Sequence, residues 1–146
     1  MIIQAKIQDS LFLAELAAQL WRGHSVSELK EEFEKLTANP DAACFIKYVD
    51  EKPVGFAQCQ LRRDYVEGTS SLPVGYLEGI FVMEEYRRRG IAQELVSACE
   101  RWAIQKGCTE FASDCEMENE LSLRFHIAMG FEVANRIICF RKDLKK

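Results

Sequence analysis

Three consecutive arginines, Arg87, Arg88 and Arg89, run into Gly90 between an apolar stretch and an amphipathic one. The chain as a whole is acidic, with a formal net charge of −4 and a pI near 5.3. A basic knot in such a chain suggests an anion. A glycine turn that opens a helix after a buried strand offers free backbone N–H groups and the positive end of the helix dipole. Gly90 has no Cβ, so phosphate oxygens can approach the main chain. Arginines add planar, charged donors. The pattern Arg87-x-x-Gly90-x-Ala92 lacks the second glycine and the lysine of a Walker loop, and it has one glycine where a dinucleotide fingerprint needs three. On this spacing alone, a solvated basic loop capping a helix explains it as well as a phosphate site does.

Two carboxylates stand out. Glu78 lies in "VGYLEGIFVM" and Asp114 in "CTEFASDC", both apolar stretches. A buried carboxylate without a partner is costly. One explanation is a salt bridge to Arg87 or Arg141. The other is that both bind ammonium groups, with one accepting a proton from an amine through water. Glu116, Glu118 and Glu120 follow closely; they suit a helix start and would steer a cation.

The elements that position these residues are legible from periodicity. "IIQAKI" predicts a short strand. Asp9 or Ser10 can cap a helix to about Trp21, and Ser25 with Glu28 forms a capping box for a second helix to about Leu36. "DAACFIKYVD" and "VGFAQCQLRR" read as a hairpin joined at "DEKP", and "DYVEGTSSLP" as a polar loop. "VGYLEGIFVM" is the strand before the arginine loop. "IAQELVSACERWAIQKG" is a helix with a stripe of Leu95, Val96, Cys99, Trp102 and Ala103, stopped at Gly107. "CTEFASDC" reads as a strand, "MENELSLRFHIAMGF" as a helix from Asn119 to Gly130, and "FEVANRIICFRKDL" as a final strand pair. The fold class is mixed α/β, in one domain spanning 1–146, with a β-α-β crossover around the arginine loop.

The totals bound the partners. A chain of 146 residues holds one core, and its acidic balance argues against nucleic acid. Six cysteines without a Cys-x-x-Cys pair read as buried free thiols of a reducing compartment. His24 and His126 have no second ligand at metal spacing, so no metal is expected. No basic-then-apolar leader and no membrane-length apolar run is present, so a cytoplasmic location and no membrane partner are expected.

The Arg-x-x-Gly-x-Ala loop, opening a long helix after a strand, resembles the acetyl-CoA pyrophosphate loop of the GNAT N-acetyltransferase superfamily. Asn119, Ser122, His126, Gly130 and Phe131 resemble a second element of that family, and the element order matches it over nearly the whole chain. "LWRGH", "RRDYVEG", "YLEGIFV", "GCTEFASD" and "GFEVANRIICFRK" are together similar to the small aminoglycoside 6'-N-acetyltransferases.

The resemblance implies a mostly antiparallel central sheet with a splayed parallel strand pair, flanked by about four helices. It implies acetyl-CoA as acetyl donor and a cationic aminoglycoside as acceptor. Main-chain groups of Ile80, Phe81 and Val82 would pair with the pantetheine arm like an added strand. Arg88, Arg89, Gly90, Ile91, Ala92 and Gln93 would bind pyrophosphate, with Arg87 anchoring the loop or reaching an outer phosphate. Asn119 would bond the pantetheine arm, its alternative being a plain helix N-cap. Glu78 and Asp114 would bind the substrate ammonium groups, with Glu78 favoured as the proton relay. The backbone N–H near Val82 would stabilise the oxyanion. Trp21 and Tyr65 would wall the acceptor site, His24 would bond the acceptor, and Trp21 serves equally as core packing.

Two positions depart from the family. His126 stands where many members have a tyrosine that protonates the departing thiolate. Asn135 stands where the group often has an acid; it still can hydrogen-bond a substrate. The competing readings are the same chemistry on a polyamine, an amino sugar or a protein N-terminus, and a non-catalytic acetyl-CoA-binding module. The apolar start of "RIICFRKDL" is a liability as an open edge, so a homodimer that covers it is expected.

Overall fold

In the computed structural model, which describes residues 1–145, five strands form one sheet in chain order. They are β1 (Ile2–Gln4), β2 (Ala42–Val49), β3 (Lys52–Arg62), β4 (Val74–Val82) and β5 (Phe111–Ala112). The helices are α1 (Ser10–Leu20), α2 (Val26–Ala38), α3 (Ile91–Gln105) and α4 (Glu120–Ala128). The first three pairings are antiparallel and β4–β5 is parallel. This is the mixed α/β architecture with a crossover through α3 that the sequence predicts.

Local chemistry accounts for most of these elements. The Ser25–Glu28 box closes with both of its hydrogen bonds, at 3.1 and 3.3 Å. The β2–β3 hairpin turns through Asp50 and Glu51, with φ of 48° and 65°; two left-handed residues match the twist of a tight hairpin. At α1 the expectation fails: Asp9 occupies the N-cap, but its carboxylate accepts from Lys6 N at 2.8 Å and does not bond the helix. Ser10 Oγ is buried with no hydrogen-bond partner among the described residues.

Residues Met1–Asp114 form one compact unit, and a second begins at Cys115. In the first unit, α1 and α2 cover one face of the sheet, packing Leu13, Leu16, Leu29 and Phe33 on Cys44, Ile46 and Phe56. The opposite face carries α3, whose Leu95 reaches Gly55 and whose Ala103 reaches Gly75. Strand alternation separates the two faces.

The second unit holds α4. Asn119 Oδ1 accepts from Ser122 N at 3.0 Å at its start. Gly130, with φ +97°, ends it, and Phe131 N and Gly130 N bond His126 O and Ile127 O in a Schellman motif.

Three expectations are corrected. The strand predicted over 108–115 is only the two residues of β5. The final strand pair predicted in "FEVANRIICFRKDL" is absent: none of the described residues 131–145 is in a strand. Their β-branched and apolar composition records strand propensity, but a strand is stable only in a ladder. Val133, Ile137, Ile138, Phe140 and Leu144 stay exposed, Phe140 at 90%. Finally, only Cys44, Cys59, Cys99 and Cys108 are buried free thiols; Cys115 and Cys139 are free and exposed.

Candidate active site

The site is organised by β4. Its register against β3 passes from Gln58↔Gly79 to Cys59↔Leu77, which leaves Glu78 as the extra residue of a bulge. A bulge breaks the alternation of the strand and re-aims the side chain it carries. On the other edge, pairing with β5 stops after Gly75↔Phe111 and Tyr76↔Ala112. Ser113 Oγ still donates to Leu77 O at 3.1 Å. Beyond that point Ile80, Phe81 and Val82 pair with β3 alone among the strands. This is the splayed parallel pair, and it leaves a strand edge that an extended ligand can join.

Glu78 is 21% exposed in its side chain. Among the described residues Arg87 is not its partner, being turned to Val82 O instead. Arg62, at the end of β3, holds it through Nε to Oε2 at 3.2 Å and Nη2 to Oε1 at 2.9 Å. The same guanidinium lies 3.6 Å from the centre of the Tyr76 ring. Tyr76 Oη in turn donates to Asp114 Oδ2. Burial, and then this bond to Asp114, push the Tyr76 phenol well above its usual value, so it remains a donor. Glu78, Arg62, Tyr76 and Asp114 therefore form one continuous chain of contacts. A partly exposed ion pair adds roughly 0–1 kcal/mol to stability, so what this chain supplies is chiefly geometry.

A cavity of about 320 Å³ opens beside Glu78, lined by Trp21, His24, Leu29, Glu32, Phe33, Leu36, Gln58 and Glu78. Trp21 comes from the end of α1 and packs edge-on against Phe56, with centroids 5.9 Å apart. It is thus both core and cavity wall. Tyr65 is placed elsewhere, exposed on the loop after β3, with its hydroxyl donating to Glu67 at 3.1 Å. Glu110 ties down the far part of that loop, accepting from Ser70 N at 2.9 Å and from Ser71 Oγ.

The arginine loop has the geometry of an anion cradle. Arg88 and Gly90 are left-handed, with φ of 65° and 79°, and Gly90 is the N-cap of α3. Alternating conformations of this kind turn successive N–H groups to one side. Arg87 takes the anchoring role: its Nε donates to Val82 O at 2.8 Å and it stands 5.6 Å from the Phe81 ring. Arg89 bonds Glu85 O at 3.3 Å. Ile91, Ala92 and Gln93 open α3, where helix N–H groups lack intrahelical partners. Across from them, Lys47 and Glu94 pair at 2.6 Å. These residues fit a diphosphate.

Asn119, His126 and Asn135 belong to the second unit. Asn119 caps α4. His126 Nδ1 lies 2.7 Å from Ser122 O; a carbonyl only accepts, so Nδ1 carries a proton and Nε2 can donate only from the imidazolium. Asn135 Oδ1 accepts from Arg136 N at 2.8 Å. Among the described residues no cluster could hold a metal ion, and no helix is long and apolar enough to cross a membrane.

Arg62, Gln58 and Glu32 escape the sequence reading. Arg62 and Gln58 share the parity of one strand face, beside the strand that carries Glu78, which was an available signal. Glu32 on α2 gave none.

The acetyltransferase (GNAT) family pattern matches residues 12–131. Aminoglycoside N(6')-acetyltransferase type 1 of Salmonella typhimurium is 43% identical over 127 residues, covering 87% of this chain and 88% of that one. The protein of the same name from Acinetobacter baumannii is 38% identical over 144 residues, with 98% and 96% covered. Among solved structures, the aminoglycoside N-acetyltransferase AAC(6')-Iy in complex with CoA superposes with a TM-score of 0.94 at 40% identity, covering 97% and 93%. AAC(6')-Iy with the bisubstrate analogue CoA-S-monomethyl-acetylneamine gives 0.93, also at 40% identity, over 98% and 97%.

Proposed function

The chain belongs to the acetyltransferase (GNAT) family, and from that premise we propose that it transfers the acetyl group of acetyl-CoA to the 6'-amino group of an aminoglycoside, inactivating the drug. The observation that carries this reading is the meeting, on one strand, of an open edge at Ile80–Val82 and a bulged carboxylate, Glu78, facing a cavity. Relatives with that activity cover nearly the whole chain, and a relative's structure holds CoA joined to an aminoglycoside-type acceptor.

The donor binds along β4. Ile80, Phe81 and Val82 offer main-chain groups to the pantetheine arm. The amides of Gly90, Ile91, Ala92 and Gln93 and the side chains of Arg88 and Arg89 bind the pyrophosphate. Asn119 adds a bond to the arm. The acceptor binds in the acidic cavity, between Trp21, His24 and Glu78, and Asp114, tied to Glu78 through Tyr76 and Arg62, draws its further ammonium groups. An amine nitrogen, freed of its proton through water to Glu78, attacks the thioester carbonyl. The oxyanion is met by the N–H near Val82. The C–S bond breaks, and the thiolate takes a proton, supplied by His126 in its imidazolium form or by solvent. No covalent enzyme intermediate is needed. Burial pushes the Cys44 thiol up, and a bond with Cys99 and burial do the same for Cys59, which suits a passive role for both.

The finer readings follow the same lines. Residues 1–146 act as one acetyltransferase domain, since the family match crosses from the first unit into the second. A homodimer covers the apolar side chains of 131–145. The protein works in the cytoplasm, without nucleic acid or membrane partners, consistent with its acidic balance and six free thiols.

The test is thiol release from acetyl-CoA with paired aminoglycosides that differ only in a 6'-amine or a 6'-hydroxyl. Release with the amine alone supports the reaction and its position. Saturable acetyl-CoA binding without release from either would overturn the drug assignment.

A further inference from the structure

Arg62 pairs directly with Glu78 and is linked to Asp114 through Tyr76. It grips Glu78 with three contacts of 3.2, 2.9 and 3.0 Å from Nε and Nη2. Its face rests on Tyr76, whose hydroxyl reaches Asp114. Glu78 sits on a bulge, where the strand alone does not dictate the direction of the side chain. The planar guanidinium can hold a carboxylate in one orientation, which a point charge cannot. The stacked ring limits where the guanidinium itself can go.

We propose that Arg62 is a positioning residue of the acetyl transfer. It holds the Glu78 carboxylate toward the cavity and couples it, through the Tyr76 ring and hydroxyl, to Asp114. The inference rests on the aminoglycoside reading above. Arg62 does not touch the acceptor; it fixes the acid that does. Nε and Nη2 are both turned to Glu78, so the guanidinium lowers the local excess of negative charge without closing the site to a second cation. A substrate with several ammonium groups then has its reactive amine set by a fixed acid and its other amines by the remaining ones.

The experiment compares wild type, Arg62→Met, Arg62→Lys, Glu78→Gln and the double variant Arg62→Met/Glu78→Gln, with the 6'-amine substrate and acetyl-CoA each varied. Arg62→Met is expected to lower kcat/KM for the amine by about tenfold or more, and to leave KM for acetyl-CoA within about twofold. Arg62→Lys recovers part of the loss. The double variant is no worse than Glu78→Gln, because the guanidinium acts through that carboxylate. Losses that multiply in the double variant, a matching rise in KM for acetyl-CoA, or a gain in kcat/KM on removing Arg62 would each overturn the role while leaving the activity in place. No turnover by wild type on any 6'-amine would overturn the proposed function and this role with it.

Discussion

Trp21 occupies the space from which a side chain at position 79 would have to grow. A Cβ on Gly79 would stand 2.5 Å from Trp21 Cζ2 and 2.8 Å from Cη2. The indole thus lies directly on β4, one residue past the bulge that carries Glu78. Overpacking of this kind costs about 1–3 kcal/mol. Gly79→Ala should lower the melting temperature and shift tryptophan fluorescence, and the destabilisation it causes should be smaller in a Trp21→Ala background than in wild type. A Gly79→Ala protein with unchanged melting and fluorescence would mean that the indole is not seated there.

Gly90 offers a different test, because a Cβ there meets nothing within 4 Å. Its requirement lies in the backbone, at φ +79°. Left-handed geometry costs an L-residue about 1–2 kcal/mol, less for Asn. Gly90→Val should therefore raise KM for acetyl-CoA more than Gly90→Ala, and Gly90→Asn least, with the amine KM little changed. Equal effects from all three would point to loss of a contact instead of loss of a conformation.

Glu78 and Asp114 have different settings, so their variants should fail differently. Glu78 lines the cavity, whereas Asp114 has one oxygen taken by the Tyr76 hydroxyl. Glu78→Gln is expected to lower kcat by about a hundredfold or more, the scale of general-base loss. Asp114→Asn should raise KM for the amine while kcat falls less. The reverse pattern would transfer the relay to Asp114.

These contrasts follow what a sequence can and cannot encode. The Ser25–Glu28 box, the Gly107 stop and the Arg88–Gly90 turn are set by neighbours a few residues apart, and all are legible. So is the family, because its motifs are local. Glu78 is legible as an acid in a strand, but the bulge that aims it depends on the register of β3, which no local pattern fixes. The sequence offers Arg87, close by in the chain, as its partner; the structure supplies Arg62 from the neighbouring strand. The last strand pair fails for a related reason. "RIICFRKDL" has the composition of a strand, but composition does not provide the edge that would complete it.

That exposed segment leads to a prediction about assembly. Ile138 and Phe140 are 73% and 90% exposed in the single chain, and apolar side chains exposed close together mark an interaction surface. Light scattering should find a dimer. Phe140→Asp together with Ile138→Asp should shift it toward monomer and reduce thermal stability. A wild type that remains monomeric at tens of micromolar would remove the homodimer from the reading.

The loop after β3 carries a pH dependence of its own. The Ser71 hydroxyl, followed by the Ser70 N–H, holds the Glu110 carboxyl below its ordinary value. A depressed carboxylate contributes stability above its unfolded pKa and loses it as pH falls through the folded one. The clamp is therefore complete at neutral pH and is lost from about pH 4 downward. Glu110→Ala should melt below wild type at about pH 7, and the difference should shrink progressively as the pH falls below the ordinary carboxylate range. The variant should also digest faster with protease between 63 and 73 at neutral pH, because the two bonds from Ser70 and Ser71 are what tie that segment to the residue before β5. A difference in melting that stays constant across the range would mean that Glu110 acts by packing and not by charge.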